Sequence, residues 1–394
     1  MPSSTPVAVT APRERLVFLD ALRGFALIMM VLNHTGRWWQ DGPLMGWPRY
    51  YMIYVTMAVA APTFLFLVGF CLPLSLARTR AEGPGQLLPT LWRYAKRGGR
   101  IILAGFLLNL LVFMEDFWPI VWSNGVLPTL SAIINGSSTY PFWSNLLSNG
   151  VLQTIGFSII VAAPVVLFIG SSAARYALVA VSVLIYLSFG WAYGPLSGWV
   201  GTHPTSSRIL FLEFPPWPWV ALVLFALVPG ELWVERRDPR GRARYMWAMA
   251  AAGVLCIAWL FAYDWWAQTP NRWMFKRDFI LNNHWTPRGA TAIWVIGMSF
   301  CLMALFYYLG EVKRLRMTWL VTLGQTALIL YFVHQLIVLT LVNEYLDRRF
   351  NDWWRFGLAN LVLLVLLLGI SRLWLEIKRI SRQRWPALAV FRRA

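Results

Sequence analysis

The run LVFLDALRGFALIMMVLNHT, residues 16–35, carries three ionisable side chains, Asp20, Arg23 and His34, in an otherwise apolar stretch. At about 100° per residue, Arg23 and His34 fall about 20° apart around a helix, and Asp20 lies about 60° from Arg23. All three therefore share one face, and the helical rise sets His34 about 16 Å along the axis from Arg23. Ionisable groups inside a membrane span are costly and point to function. Histidine titrates near neutrality and is the commonest general acid–base. His34 could take a proton from a hydroxyl or amine, and Asn33 beside it could donate to a developing oxyanion. Two plainer readings stand beside this one. Asp20 and Arg23 form an i,i+3 pair that anchors the helix end, or His34 caps the other end near water.

A second stretch, TWLVTLGQTALILYFVHQLIVLTLV from residue 318, repeats the theme. Gly324, Tyr331, His334 and Gln335 fall within about one quadrant of a helix. A small residue below and a polar cluster above would allow close packing on another helix, with hydrogen bonds across it. His334 is thus a catalytic candidate or part of a His–Gln–Tyr network joining two helices, and Tyr331 and Gln335 are candidate acceptor contacts.

Further candidates lie at the ends of apolar runs. Glu115 and Asp116, in FMEDFW, could bind the hydroxyls or amine of a sugar or pair with Arg272; otherwise they are a solvated surface pair. His284 and Trp285, in NNHWTPRG, suit contact with an acceptor, and Trp273 could stack on a sugar or adenine in the same way. Arg97 and Arg100, with Arg23, would make a basic face for phosphates, although basic loops also act as orientation signals. Cys71, Cys256 and Cys301 all sit in apolar segments, so neither a disulfide framework nor a zinc site is expected. No Walker loop, nucleophile elbow, HExxH or dinucleotide fingerprint occurs, and no metal is expected.

These residues need a scaffold, and composition defines it. The 394 residues are 58% hydrophobic and 13% charged, against about 25% charge in soluble domains. An ordinary soluble globule and a disordered chain are both excluded. The expected fold is all-α, a polytopic membrane protein of about ten helices in one bundle. The spans read as 16–36, 50–77, 101–118, 151–171, 176–195, 214–234, 246–265, 290–310, 318–342 and 357–376. With both termini cytoplasmic, inner segments hold 23 Lys and Arg against 10 in outer ones, as the positive-inside rule requires. The net charge of +18 is therefore an orientation signal, and no nucleic-acid partner is expected. Residues 1–15 read as a flexible tail, 16–376 as the membrane domain and 377–394 as a basic cytoplasmic tail. Asp20 and Arg23 make the first run a retained helix, not a cleaved signal. Residues 117–174 contain no charged side chain, and part of 119–150 could dip back into the membrane as a re-entrant piece. Most of the 24 tryptophans are expected in interfacial belts.

The blocks LDALRGFALIMMVLNH, AAPTFLFLVGFCLPL, VLQTIGFSIIVAAP and LGQTALILYFVHQLIV resemble, in that order, the transmembrane acyltransferase superfamily. The closest branch is similar to the heparan-α-glucosaminide N-acetyltransferase-like bacterial proteins, with acyltransferase-3 and glucan-succinylating proteins as cousins. The resemblance implies an enzyme that takes an acyl group, here acetyl, from cytoplasmic acyl-CoA as co-substrate. The group would go to a hydroxyl or amine of an extracytoplasmic carbohydrate or glycolipid. By that likeness Arg23, with Asp20, lies near the donor and His34 acts at the reacting centre. One departure is visible: the lysosomal branch has a histidine in the loop after this helix, and Gly36–Pro48 contains none.

No tightly bound cofactor is expected. Membrane lipids are partners, a homodimer is left open, and the location implied is a bacterial inner membrane. The competing class is a non-enzymatic transporter or flippase of a lipid-linked sugar, which would use the same intramembrane polar residues for binding.

Overall fold

The long apolar runs become helices because a bilayer offers the backbone no other hydrogen-bond partners. In a computed structural model, residues 16–56, 59–82, 84–112, 117–138, 140–203, 209, 214–267 and 291–384 are described. Glu115, Asp116, Arg272, Trp273, His284 and Trp285 lie outside the described residues, as does the 1–15 tail.

The main helices are α1 (Val17–Trp38), α2 (Ala60–Glu82), α3 (Leu87–Val112), α4 (Val151–Val165), α5 (Ser172–Thr202) and α6 (Pro216–Glu235). They continue as α7 (Pro239–Ala267), α8 (Thr291–Tyr307), α9 (Thr318–Gln325), α10 (Ala327–Gln335) and α11 (Trp353–Arg384). Eight of the helices among the described residues are long and apolar enough to cross a membrane. The chain is an all-α polytopic membrane protein. The described residues of each of the ten expected spans fall largely on helix, with instructive differences. The third is a bent pair, α3 and Phe117–Asn124, set at 66° to each other; counted as one span it makes nine. The fourth, α4, has 15 residues, about 22 Å of helix against a hydrocarbon core of about 30 Å. The last helix runs on to Arg384, so the first part of the segment read as a tail from 377 is helical.

α1 and α6 are the most buried spans, whereas α5, α7 and α11 turn most of their surface outward. On α11 the side chains of Leu361, Val362 and Val365 are each more than half exposed, as a lipid-facing stripe should be. The tryptophans divide in two. Trp92, Trp247, Trp266 and Trp354 are exposed toward helix ends, whereas Trp39, Trp219, Trp233 and Trp294 are buried in the bundle. The neutral stretch 119–150 folds into short helices, including Val126–Ile134 and Phe142–Leu146, around a small core of Phe117, Val121 and Ile133.

The ninth expected span, 318–342, is broken. α9 ends at Gln325, α10 begins at Ala327, and Leu336–Tyr345 continues as π-helix. The break has a cause in hydroxyl chemistry. Thr326 Oγ1 and Ser371 Oγ of α11 pair with each other and lie 3.0 and 2.9 Å from the Thr322 carbonyl, so one hydroxyl donates to the other, which donates to that carbonyl. Hydroxyls that satisfy a freed carbonyl make such a break tolerable in an apolar helix.

Candidate functional site

α1 packs on α9 through glycine. A Cβ added to Gly24 would collide with the Leu320 carbonyl, and one on Gly324 with the Asp20 carbonyl. Small residues let two membrane helices approach backbone to backbone. The two helices run parallel from this crossing, and ten residues beyond it on each chain segment the two histidines meet. His334 Nε2 lies 3.1 Å from His34 Nδ1, with 5.2 Å between ring centroids and the ring planes inclined by 24°. His334 is fully buried and its Nδ1 donates to the Leu330 carbonyl at 2.9 Å. His34 is half-buried.

The neighbours of His34 fix its direction. Asn33 donates from Nδ2 to the Ile53 carbonyl at 2.7 Å, and Thr35 Oγ1 donates to Asn360 Oδ1 of α11 at 2.7 Å. Both side chains are buried. Tied on either side, α1 cannot rotate at this level without breaking a buried hydrogen bond. One hydrogen of Asn33 is thus committed to packing, and a developing oxyanion would have to use the second.

Below the histidines a cavity of about 780 Å³ opens between α1, α2, α3, α4 and α10. Arg23 and Asp20 line it and pair at 2.9 Å, and Arg23 also donates to Cys71 Sγ at 3.3 Å. Asp20 is buried, and the pair faces the cavity. Arg97 and Arg100 reach the same cavity from α3, beside Tyr94, whose hydroxyl donates to Ser75 Oγ at 2.6 Å. The remaining lining is apolar, from residues such as Phe64, Leu67 and Ile155. Tyr331, expected among acceptor contacts, lines this cavity with the arginines and packs edge-on against His334 at 5.5 Å. It joins the cavity to the histidine pair.

The structure therefore brings together Asp20, Arg23, Arg97, Arg100 and Tyr331 around one cavity, with His334, His34 and Asn33 above it. Gln335 is buried next to His334, and its Oε1 has no hydrogen-bond partner among the described residues. Among those residues no group of three or more His, Cys, Asp or Glu gathers to hold a metal ion.

Sequence reasoning missed Thr35, Asn360, Ser371 and Cys71. Asn360 carried a usable signal, an amide in the middle of an apolar span. Ser371 and Cys71 carried none, because their types are ordinary in membrane helices and only their contacts single them out. Asn109, a buried polar residue within α3, is structural: its amide donates to the Leu146 and Ser148 carbonyls at 2.9 and 2.8 Å.

A family model described as an acyltransferase domain, that of the acyltransferase-3 group, matches residues 16–374. Comparison with curated proteins gave no match.

Proposed function

The chain belongs to the acyltransferase-3 family, and from that premise we propose that it carries an acetyl group from cytoplasmic acetyl-CoA to an extracytoplasmic carbohydrate or glycolipid. The observation that supports this reading is the continuity of the site. One cavity has Arg23, Arg97 and Arg100 for phosphates, an apolar lining for a pantetheine arm, and Tyr331 leading to the histidine pair. Its volume of about 780 Å³ lies within the usual range for small-molecule sites.

His34 then acts as general base. It takes the proton of the acceptor hydroxyl or amine as the new C–O or C–N bond forms. The C–S bond breaks, and the proton passes on to the departing CoA thiolate. The second amide hydrogen of Asn33 serves the transient oxyanion. Gln335, Glu115, Asp116, His284 and Trp285 are assigned to the acceptor side. The finer likeness to the heparan-α-glucosaminide N-acetyltransferase-like branch, the bacterial inner membrane and the cytoplasmic termini belong to this same proposal.

The test uses purified protein in lipid nanodiscs. Given acetyl-CoA and a carbohydrate acceptor fraction, it should release free CoA thiol in step with acetylation of the acceptor. Sugar movement across proteoliposomes with no thioester consumed would replace this reading with the transporter or flippase.

A further inference from the structure

We propose that His334 is a positioning residue that sets which nitrogen of His34 carries the proton, so that His34 presents Nε2 as the base. The proposal rests on the reading of His34 as general base. The argument starts at the Leu330 carbonyl, which can only accept a hydrogen bond. His334 Nδ1 lies 2.9 Å from it, so Nδ1 carries a proton. In neutral His334 the other nitrogen, Nε2, then holds a lone pair. His34 Nδ1, 3.1 Å from that lone pair, must be the donor. A neutral His34 protonated at Nδ1 has an unprotonated Nε2, and no protein group among the described residues bonds to that atom. The order of protons thus runs outward from a backbone carbonyl, through one imidazole, to the base.

The opposite order would need both nitrogens of His334 protonated. That would place a charge on a ring with 0% exposure, and burying an unpaired charge is among the most costly arrangements in a protein. The same hydrogen bond serves the step itself. When Nε2 of His34 takes a proton from the acceptor, Nδ1–H keeps donating to His334, so the new charge has a fixed dipole facing it. Partners that fix tautomer and ring orientation are the usual means of tuning a histidine.

Substitutions at His334 separate this role from packing. Glutamine puts an acceptor oxygen near the place of Nε2, and leucine fills space with none. His334→Gln should keep kcat within about tenfold, whereas His334→Leu should lose about 10²–10³-fold with KM for acetyl-CoA unchanged. Nitrogen-15 NMR of histidine-labelled protein reads the tautomer directly. The wild-type His34 signal should report a protonated Nδ1, and this holds as a test even if the leucine variant fails to fold. Equal activity of the two variants in folded protein, or a wild-type His34 protonated at Nε2, overturns the proposal. An active His34→Gln would instead overturn the base assignment on which it rests. An inactive His34→Gln beside an active His334→Leu removes the positioning role alone.

Discussion

Gly24 of α1 lies against Gly324 of α9 with no room for a side chain, since a Cβ on either would run into backbone of the other helix. That crossing sets the register of the site. Ten residues onward, His34 and His334 stand at hydrogen-bond distance, and the parallel course of the two segments leaves little freedom in between.

Replacing Gly24 or Gly324 by valine should therefore act at a distance. Forcing a branched side chain into a filled crossing costs about 1–3 kcal/mol, seen as a lowered Tm in detergent. Activity should fall further than stability, because separated helices part the histidines. Valine variants with wild-type Tm and turnover would show that the crossing does not set the site.

Arg23→Ala removes a cation paired with Asp20 and one of the three arginines that line the cavity. Acetyl-CoA affinity, measured by calorimetry or by protection against thermal unfolding, should drop at least about tenfold, the usual loss for a charge-assisted contact of 1.5–3 kcal/mol. The protein should still insert. Unchanged affinity in a folded variant would reduce Arg23 to a helix anchor.

His34→Ala should lower turnover by about 10²–10⁴ while acetyl-CoA binding is kept, the range expected for loss of a general base. His34→Gln retains hydrogen bonding without a titratable base and should be nearly as inactive. Substantial activity in the glutamine variant would move the base elsewhere.

The Thr35–Asn360 hydrogen bond suits a double-mutant cycle. Thr35→Val leaves the Asn360 oxygen buried without its partner and should cost about 1–2 kcal/mol. Thr35→Val with Asn360→Leu should cost less than the sum of the single changes. Strict additivity in thermal stability would mean that the bond contributes nothing to holding α1 against α11.

Orientation is open to labelling. A cysteine at position 280 should react with an impermeant thiol reagent from outside whole cells, and one at 240 should not, if the basic split reports cytoplasmic termini. The reverse pattern would invert the bundle and put Arg23 on the wrong side for cytoplasmic acetyl-CoA.

Much of this protein is decided locally, and that part is legible without coordinates. Apolar length dictates spanning helices, and 100° per residue puts Asp20, Arg23 and His34 on one face of α1 whatever surrounds it. The same arithmetic groups Gly324, Tyr331, His334 and Gln335 and foresees a close crossing with polar bonding above it. What it could not supply is the partner. His34 and His334 are 300 residues apart, and no periodicity within either helix says that the two faces meet. Only packing decided that Gly24 opposes Gly324, that Tyr331 turns to the arginine-lined cavity, and that Asn360 holds Thr35. The break at Thr326 was likewise hidden, because Gly324, Gln325 and Thr326 are each tolerated within a membrane helix. A hydroxyl on another helix, Ser371, completes the hydrogen bonding that makes the break tolerable. Periodicity is a property of one helix, whereas a site made of two facing helices exists only once both backbones have been brought into contact.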